Sequence, residues 1–152
     1  KKNPEAASKF VSESRRALSS VIDLSKDRNP RTRLLACMCL IVIRNTSPCH
    51  LQDIGIKTKL VYLLLELLDD PVQVGEEASF AFSSLLAQKE DLQKLAFEAN
   101  AIDKLHNHLQ KHLLQPRRYQ GILLALAELC SKLERCRSRF LFLEVCCFIM
   151  DA

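Results

Sequence analysis

Within residues 71–87, apolar or small side chains fall at Val74, Ala78, Ala81, Phe82 and Leu85, a spacing that lays them along one wide face of a helix. A face of that width must be buried. The same pattern recurs about 42 residues earlier around Ala36 and about 44 later around Ile122. Cys39, Ala81 and Ala125 then align, as do Leu40, Phe82 and Leu126, and Ile43, Leu85 and Leu129. Pro30, Pro71 and Pro116 each stand just ahead of their copy, where a proline suits the opening turn of a helix. Self-similarity at this period predicts helical units that bury their cores against one another, an all-α, right-handed α-solenoid.

Read in order, the chain predicts a first helix from about Pro4 to Ser25 with Phe10, Ala17, Leu18, Val21, Ile22 and Leu24 on its apolar side. Asn29-Pro30 ends it. A helix from Arg31 to Arg44 turns Ala36, Cys39, Leu40 and Ile43 inward, and a connector with Cys49, His50 and Gly55 follows. Lys57 to Leu68 is too apolar for a surface helix and belongs inside, and Asp69-Asp70-Pro71 makes a sharp turn into the helix described first. Helices over Asp91 to Ala99, Ile102 to His112, Arg117 to Leu133 and Arg135 to Met150 complete the series. The repeat boundaries fall at 4–48, 49–90 and 91–133, with a partial unit over 134–152, all within one solenoid spanning 1–152.

Composition narrows the class. Three Gly and five Pro in 152 residues, with 48% hydrophobic residues, fit long helices rather than a disordered or collagen-like chain. No apolar run reaches the roughly 18 residues that a bilayer span needs. The N-terminal residues also lack a signal-peptide core. The expectation is a soluble protein of the cytoplasm and nucleus with no membrane partner. Seven cysteines, an odd number, fall mostly inside predicted helices, so Cys37, Cys39, Cys130, Cys146 and Cys147 read as small core residues in a reducing compartment. The chain opens on Lys1 and stops within an apolar segment, which suggests a piece of a longer array with exposed apolar surface over Leu141 to Ile149 and a tendency to self-associate.

The net charge of +4 is modest, and the acidic stretch of Glu66, Asp69, Asp70, Glu76 and Glu77 interrupts the basic residues. A continuous nucleic-acid surface is therefore not expected. Arg135, Arg137 and Arg139 with Lys132 have no interleaved aromatics for base stacking and read as a solvated turn. His106, His108 and His112 include one pair four apart, a spacing used by metal sites, but no third ligand stands in pattern. They read as polar residues on an outer helix face. Cys37, Cys39, Cys49 and His50 contain no Cys-x-x-Cys pair. With no phosphate loop, nucleophile elbow or paired-carboxylate helix, the chain predicts neither enzyme, cofactor nor small-molecule substrate.

The segment Glu77-Ala78-Ser79-Phe80-Ala81-Phe82-Ser83-Ser84-Leu85 resembles the third helix of an armadillo repeat, and nearly the whole chain takes part in the likeness. With residues 60–70 and with Arg117-Arg118-Tyr119-Gln120-Gly121-Ile122-Leu123-Leu124-Ala125-Leu126-Ala127, the chain most resembles the armadillo-repeat subunits of CTLH (GID-type) E3 ubiquitin ligase complexes. That resemblance implies a non-catalytic scaffold that binds ligase subunits or a substrate receptor. The alternative it leaves open is an importin- or catenin-type armadillo adaptor that binds extended peptides in transport or adhesion. Importin-like relatives carry a Trp and an Asn where this chain has Phe80 and Ser84, Met38 and Val42, and Leu124 and Glu128. The departure counts against binding of basic import signals.

With one face of the 71–87 helix buried, helical geometry turns Gln73, Glu77, Phe80, Ser84 and Gln88 the other way. The equivalent rows are Arg31, Leu35, Met38 and Val42, then Arg117, Gly121, Leu124 and Glu128. Together they predict a concave, partner-binding groove with an apolar floor and charged edges.

Overall fold

The structure, a computed structural model, describes residues 4–46 and 54–152. Among them are eight α-helices and no strand: α1 (Pro4–Leu24), α2 (Pro30–Thr46), α3 (Ile54–Leu67), α4 (Val72–Leu86), α5 (Glu90–Glu98), α6 (Ala101–Lys111), α7 (Pro116–Lys132) and α8 (Glu134–Asp151). Cys49 and His50 of the expected connector, the 48/49 repeat boundary and the Phe10 side chain lie outside what is described.

The helix starts follow their local chemistry. Pro30 and Pro116 open α2 and α7, where a missing N–H costs nothing. Ahead of α2 the Asn29 side-chain oxygen accepts the Arg31 backbone N–H at 2.9 Å, satisfying one of the orphan donors of the first turn. Pro71, in extended conformation, stands one residue before α4. Asn100 takes the left-handed conformation between α5 and α6, which its short side chain tolerates.

α2, α4 and α7 form a row of parallel helices with α4 in the middle. Side-chain contacts at both ends fix this direction. At their C-terminal ends α4 and α2 meet where Lys89 Nζ donates to the Asn45 side chain. At their N-terminal ends α4 and α7 meet where Arg118 lies against Gly75, and Gly121 lies against Ser79 and Phe80 farther along. The remaining helices back this row: α1 lies on α2, α3 on α4 and α5, and α6 on α7 and α8. The core runs between the two layers, through Leu34, Leu40, Leu60, Leu64, Leu67, Phe82, Leu85, Leu92, Ile102, Leu105, Ile122 and Leu129, all nearly sealed from solvent.

The apolar face expected of α4 is buried at Ala78, Ala81, Phe82 and Leu85 and half-buried at Val74. α3 is not wholly interior, contrary to what its composition predicts: Leu60, Val61, Leu64, Leu65 and Leu67 are buried, but Lys59, Tyr62 and Glu66, spaced along one side of the helix, are exposed. Several inward assignments need correction. Cys39 is exposed although Ala81 and Ala125 are buried, because α2 has no earlier member of the row among the described residues for that side to meet. Ala17 and Leu24 of α1 are exposed, leaving Leu18, Val21 and Ile22 to make its contact with the core. Cys130, Cys146 and Cys147 are only half-buried, whereas Cys136 joins Cys37 in the interior. Among the described residues no helix is long and apolar enough to cross a membrane.

Candidate binding groove

α2, α4 and the start of α7 enclose an open groove of about 500 Å³. Its walls are Met38, Ile41 and Val42 from α2, Glu77, Phe80, Ala81 and Ser84 from α4, and Arg117 from α7. Six residues assigned to the concave rows from spacing alone, Met38, Val42, Glu77, Phe80, Ser84 and Arg117, thus come together. Helical periodicity explains this, since on parallel helices the residues opposite a buried stripe face one another across the row.

The other assigned residues are placed differently. Arg31 is exposed near the start of α2, and Gln73 is exposed in the first turn of α4, where its Nε2 donates to Glu77 Oε1 at 2.9 Å. Gln88 stands beyond the end of α4 and does not line the groove. Leu124 is exposed and Glu128 half-buried on α7, both outside the groove wall. Gly121 is buried, not displayed. A Cβ there would collide with the Ser79 side chain, so its role is to let α7 approach α4.

Phe80 is half-buried and forms the groove floor rather than sealed core. The Arg117 guanidinium stands 5.9 Å from its ring centroid, within cation–π range, while its Nε lies 3.1 Å from Glu76 Oε1. This pair fixes a cation at one rim. Met38 and Val42, respectively 40% and 60% exposed, present unpartnered apolar surface on the facing wall. The surface therefore combines exposed apolar positions with a charged rim.

A second polar assembly, behind the groove, was not apparent from sequence. Arg118, only 3% exposed, donates a guanidinium N–H to the Leu68 carbonyl and so caps the C-terminal end of α3. His108 Nε2 lies 2.9 Å from Asp69 Oδ1, and Lys104 Nζ lies 2.8 Å from Asp69 Oδ2. Burial alone would raise the Asp69 carboxyl, but the hydrogen bonds from Lys104 and His108 and the charge of Lys104 hold it below its ordinary value. The outer-face assignment of the histidines is overturned for two of them: His106 and His108 are buried, the first bonded to Glu144 at 3.0 Å and the second stacked on His112 at 5.3 Å. Hydrophobic spacing carried no sign of this, because each carboxylate partner comes from a distant helix or turn. Among the described residues, no group of three or more His, Cys, Asp or Glu side chains is arranged to hold a metal ion.

Searches against protein-family models, curated proteins and solved structures found no match.

Proposed function

We propose that this chain is a segment of a right-handed, armadillo-type α-solenoid that works as a non-catalytic protein-interaction scaffold. The observation that carries this reading is the groove, whose walls come from equivalent positions of parallel helices α2 and α4 and from the start of α7. The parallel row, with each helix packed mainly on helices of its own or the adjoining unit, is what an array of units over 4–48, 49–90, 91–133 and a partial 134–152 calls for. The mechanism is presentation. An apolar partner segment sets anchors between Met38, Val42 and Phe80, and polar groups pair with Arg117, Glu77 and Ser84 at the rim.

In this proposal the partner is a ligase subunit or substrate receptor within a CTLH-type ubiquitin ligase in the cytoplasm and nucleus. The likeness of residues 60–70 and 77–85 to armadillo subunits of that class supports it. The test is affinity purification of the full-length protein followed by mass spectrometry, with Phe80→Ala and Met38→Glu in parallel. Ligase subunits enriched by the wild type and lost from both variants are the expected result. Equal recovery by all three would remove the groove from the proposal, and recovery of no ligase subunit would remove the ligase.

A further inference from the structure

We propose that Asp69, Lys104, His108 and Arg118 form an acid-sensitive latch between the α3–α4 pair and the α5–α7 group, closed while the His108 imidazole is neutral and loosened when it takes a proton. The inference concerns the fold itself and stands whether or not the groove binds a partner.

The geometry fixes which form of His108 fits. Its Nε2–H donates to Asp69 Oδ1, whereas Nδ1 is buried with no hydrogen-bond partner. An unpaired acceptor is tolerated there. Protonation would place a new N–H on Nδ1 with no acceptor, and a charge in a site only 6% exposed.

The surrounding charges do not compensate. From α6 comes Lys104, with Lys111 at its end and His112 just beyond it; from α7 comes Arg118. The acidic groups are Asp69 and Asp70 in the α3–α4 turn and Glu76 on α4. Asp69 is already bonded to Lys104, Glu76 pairs with Arg117, and Arg118 draws on the fields of all three. On the neighbouring helices most carboxylates are engaged: on α5, Glu90 pairs with Lys94 and Asp91 with Lys57 and Arg44, while on α8, Glu144 and Arg139 are engaged with His106 and Asp103. Burial, aided by Arg118 and Lys104, outweighs the pull of Asp69 and holds His108 below its ordinary value.

As pH falls, the unfolded chain therefore takes this proton first, near the ordinary histidine value of about 6.5. Stability is intact above that value and is lost progressively below it until the folded group also titrates. The loss falls on the seam, because Asp69 stands at the end of α3 and Arg118 both caps α3 and abuts Gly75 on α4. A loosened seam also shifts Arg117, one residue away, and with it one wall of the groove.

The test is amide hydrogen exchange on the full chain at pH 7.5 and 5.5, normalised for the intrinsic pH dependence of exchange. Residues 67–76 and 104–119 are expected to exchange several-fold faster at pH 5.5 in the wild type. His108→Gln, which can still donate to Asp69 but cannot titrate, should show no such increase. An equal acid response in His108→Gln, or a wild-type response outside these segments, would overturn the latch. NMR titration of the His108 ring in the wild type decides the matter if that variant does not fold. A midpoint below about 6.5, moving lower still in Asp69→Asn, is expected, and a midpoint at or above 6.5 would refute the proposal.

Discussion

Val72 is a β-branched residue with a φ of 57° at the start of α4 and a side chain 80% exposed, so it carries backbone strain with little packing in return. Replacing it with Asn, which tolerates this conformation, should raise stability by about 1 kcal/mol, read as an increase in Tm. Ala78 and Phe80, two positions apart on the same helix, should respond very differently in magnitude. Ala78 is fully buried, so Ala78→Asp places an unpaired charge in the core and should unfold the chain. Phe80 is half-exposed in the groove, so Phe80→Ala should cost well under the roughly 3–5 kcal/mol of a sealed Phe. Thermal melts of the two variants check both. Cysteine chemistry should divide by position as well: burial pushes the Cys37 thiol up to about 12 and the Cys136 thiol up to about 11, whereas Cys39 is exposed. Timed alkylation at pH 8 followed by peptide mapping should label Cys39 well before either buried thiol.

Close approach of whole helices depends on two glycines. A Cβ on Gly75 would meet the Asp70 carbonyl and lie 2.6 Å from Arg118 Nη2, and one on Gly121 would overlap the Ser79 side chain. Gly121→Ala should therefore cost about 1–3 kcal/mol through overpacking, with part of the loss restored by Ser79→Gly in the same chain. The α6–α8 contact rests on a different device, a bidentate pair in which Arg139 Nε and Nη2 donate to Asp103 at 2.7 and 2.6 Å. The Arg139 hydrogen bonds, against the opposing effect of burial, hold the Asp103 carboxyl below its ordinary value. Such a carboxylate contributes stability above the unfolded value near 3.9 and loses it as pH falls through the folded value. The Tm gap between wild type and Asp103→Asn should accordingly be steady from about pH 7 to 5 and close below about pH 3, a trend that calorimetry across this range would show.

Among the described residues, the last helix leaves a large apolar face exposed. α8 packs on α6 and α7 through Cys136, Phe140 and Leu143, while Leu141, Phe142, Val145, Phe148 and Ile149 are exposed, Phe148 at 78%. Contiguous apolar surface of this kind drives association in water. Sedimentation velocity should show a concentration-dependent shift to larger species at neutral pH, and Phe148→Glu should suppress it without lowering Tm. A monomer at all concentrations would show that this face is too discontinuous to associate.

All eight helices, with ends within a few residues, were legible in the sequence, because a 3.6-residue apolar period and the prolines ahead of α2, α4 and α7 are local properties of the chain. The groove positions Met38, Glu77, Phe80, Ser84 and Arg117 were legible for the same reason, since a buried stripe determines which residues face away from it. Pairings between distant residues were not. Nothing in the spacing marked Arg118 as the residue that caps α3, and His106 and His108 looked solvent-facing, although Glu144 and Asp69 meet them from another helix and a turn. Gly121 was assigned to the groove-facing row and instead lets α7 approach α4, although a glycine inside an amphipathic helix is itself a sign of close packing. Hydrophobic patterning acts residue by residue along the chain, so the sequence alone determined which faces are buried. Hydrogen bonds and charges act between groups that meet only after packing, so only the tertiary structure decided where the buried polar groups find their partners.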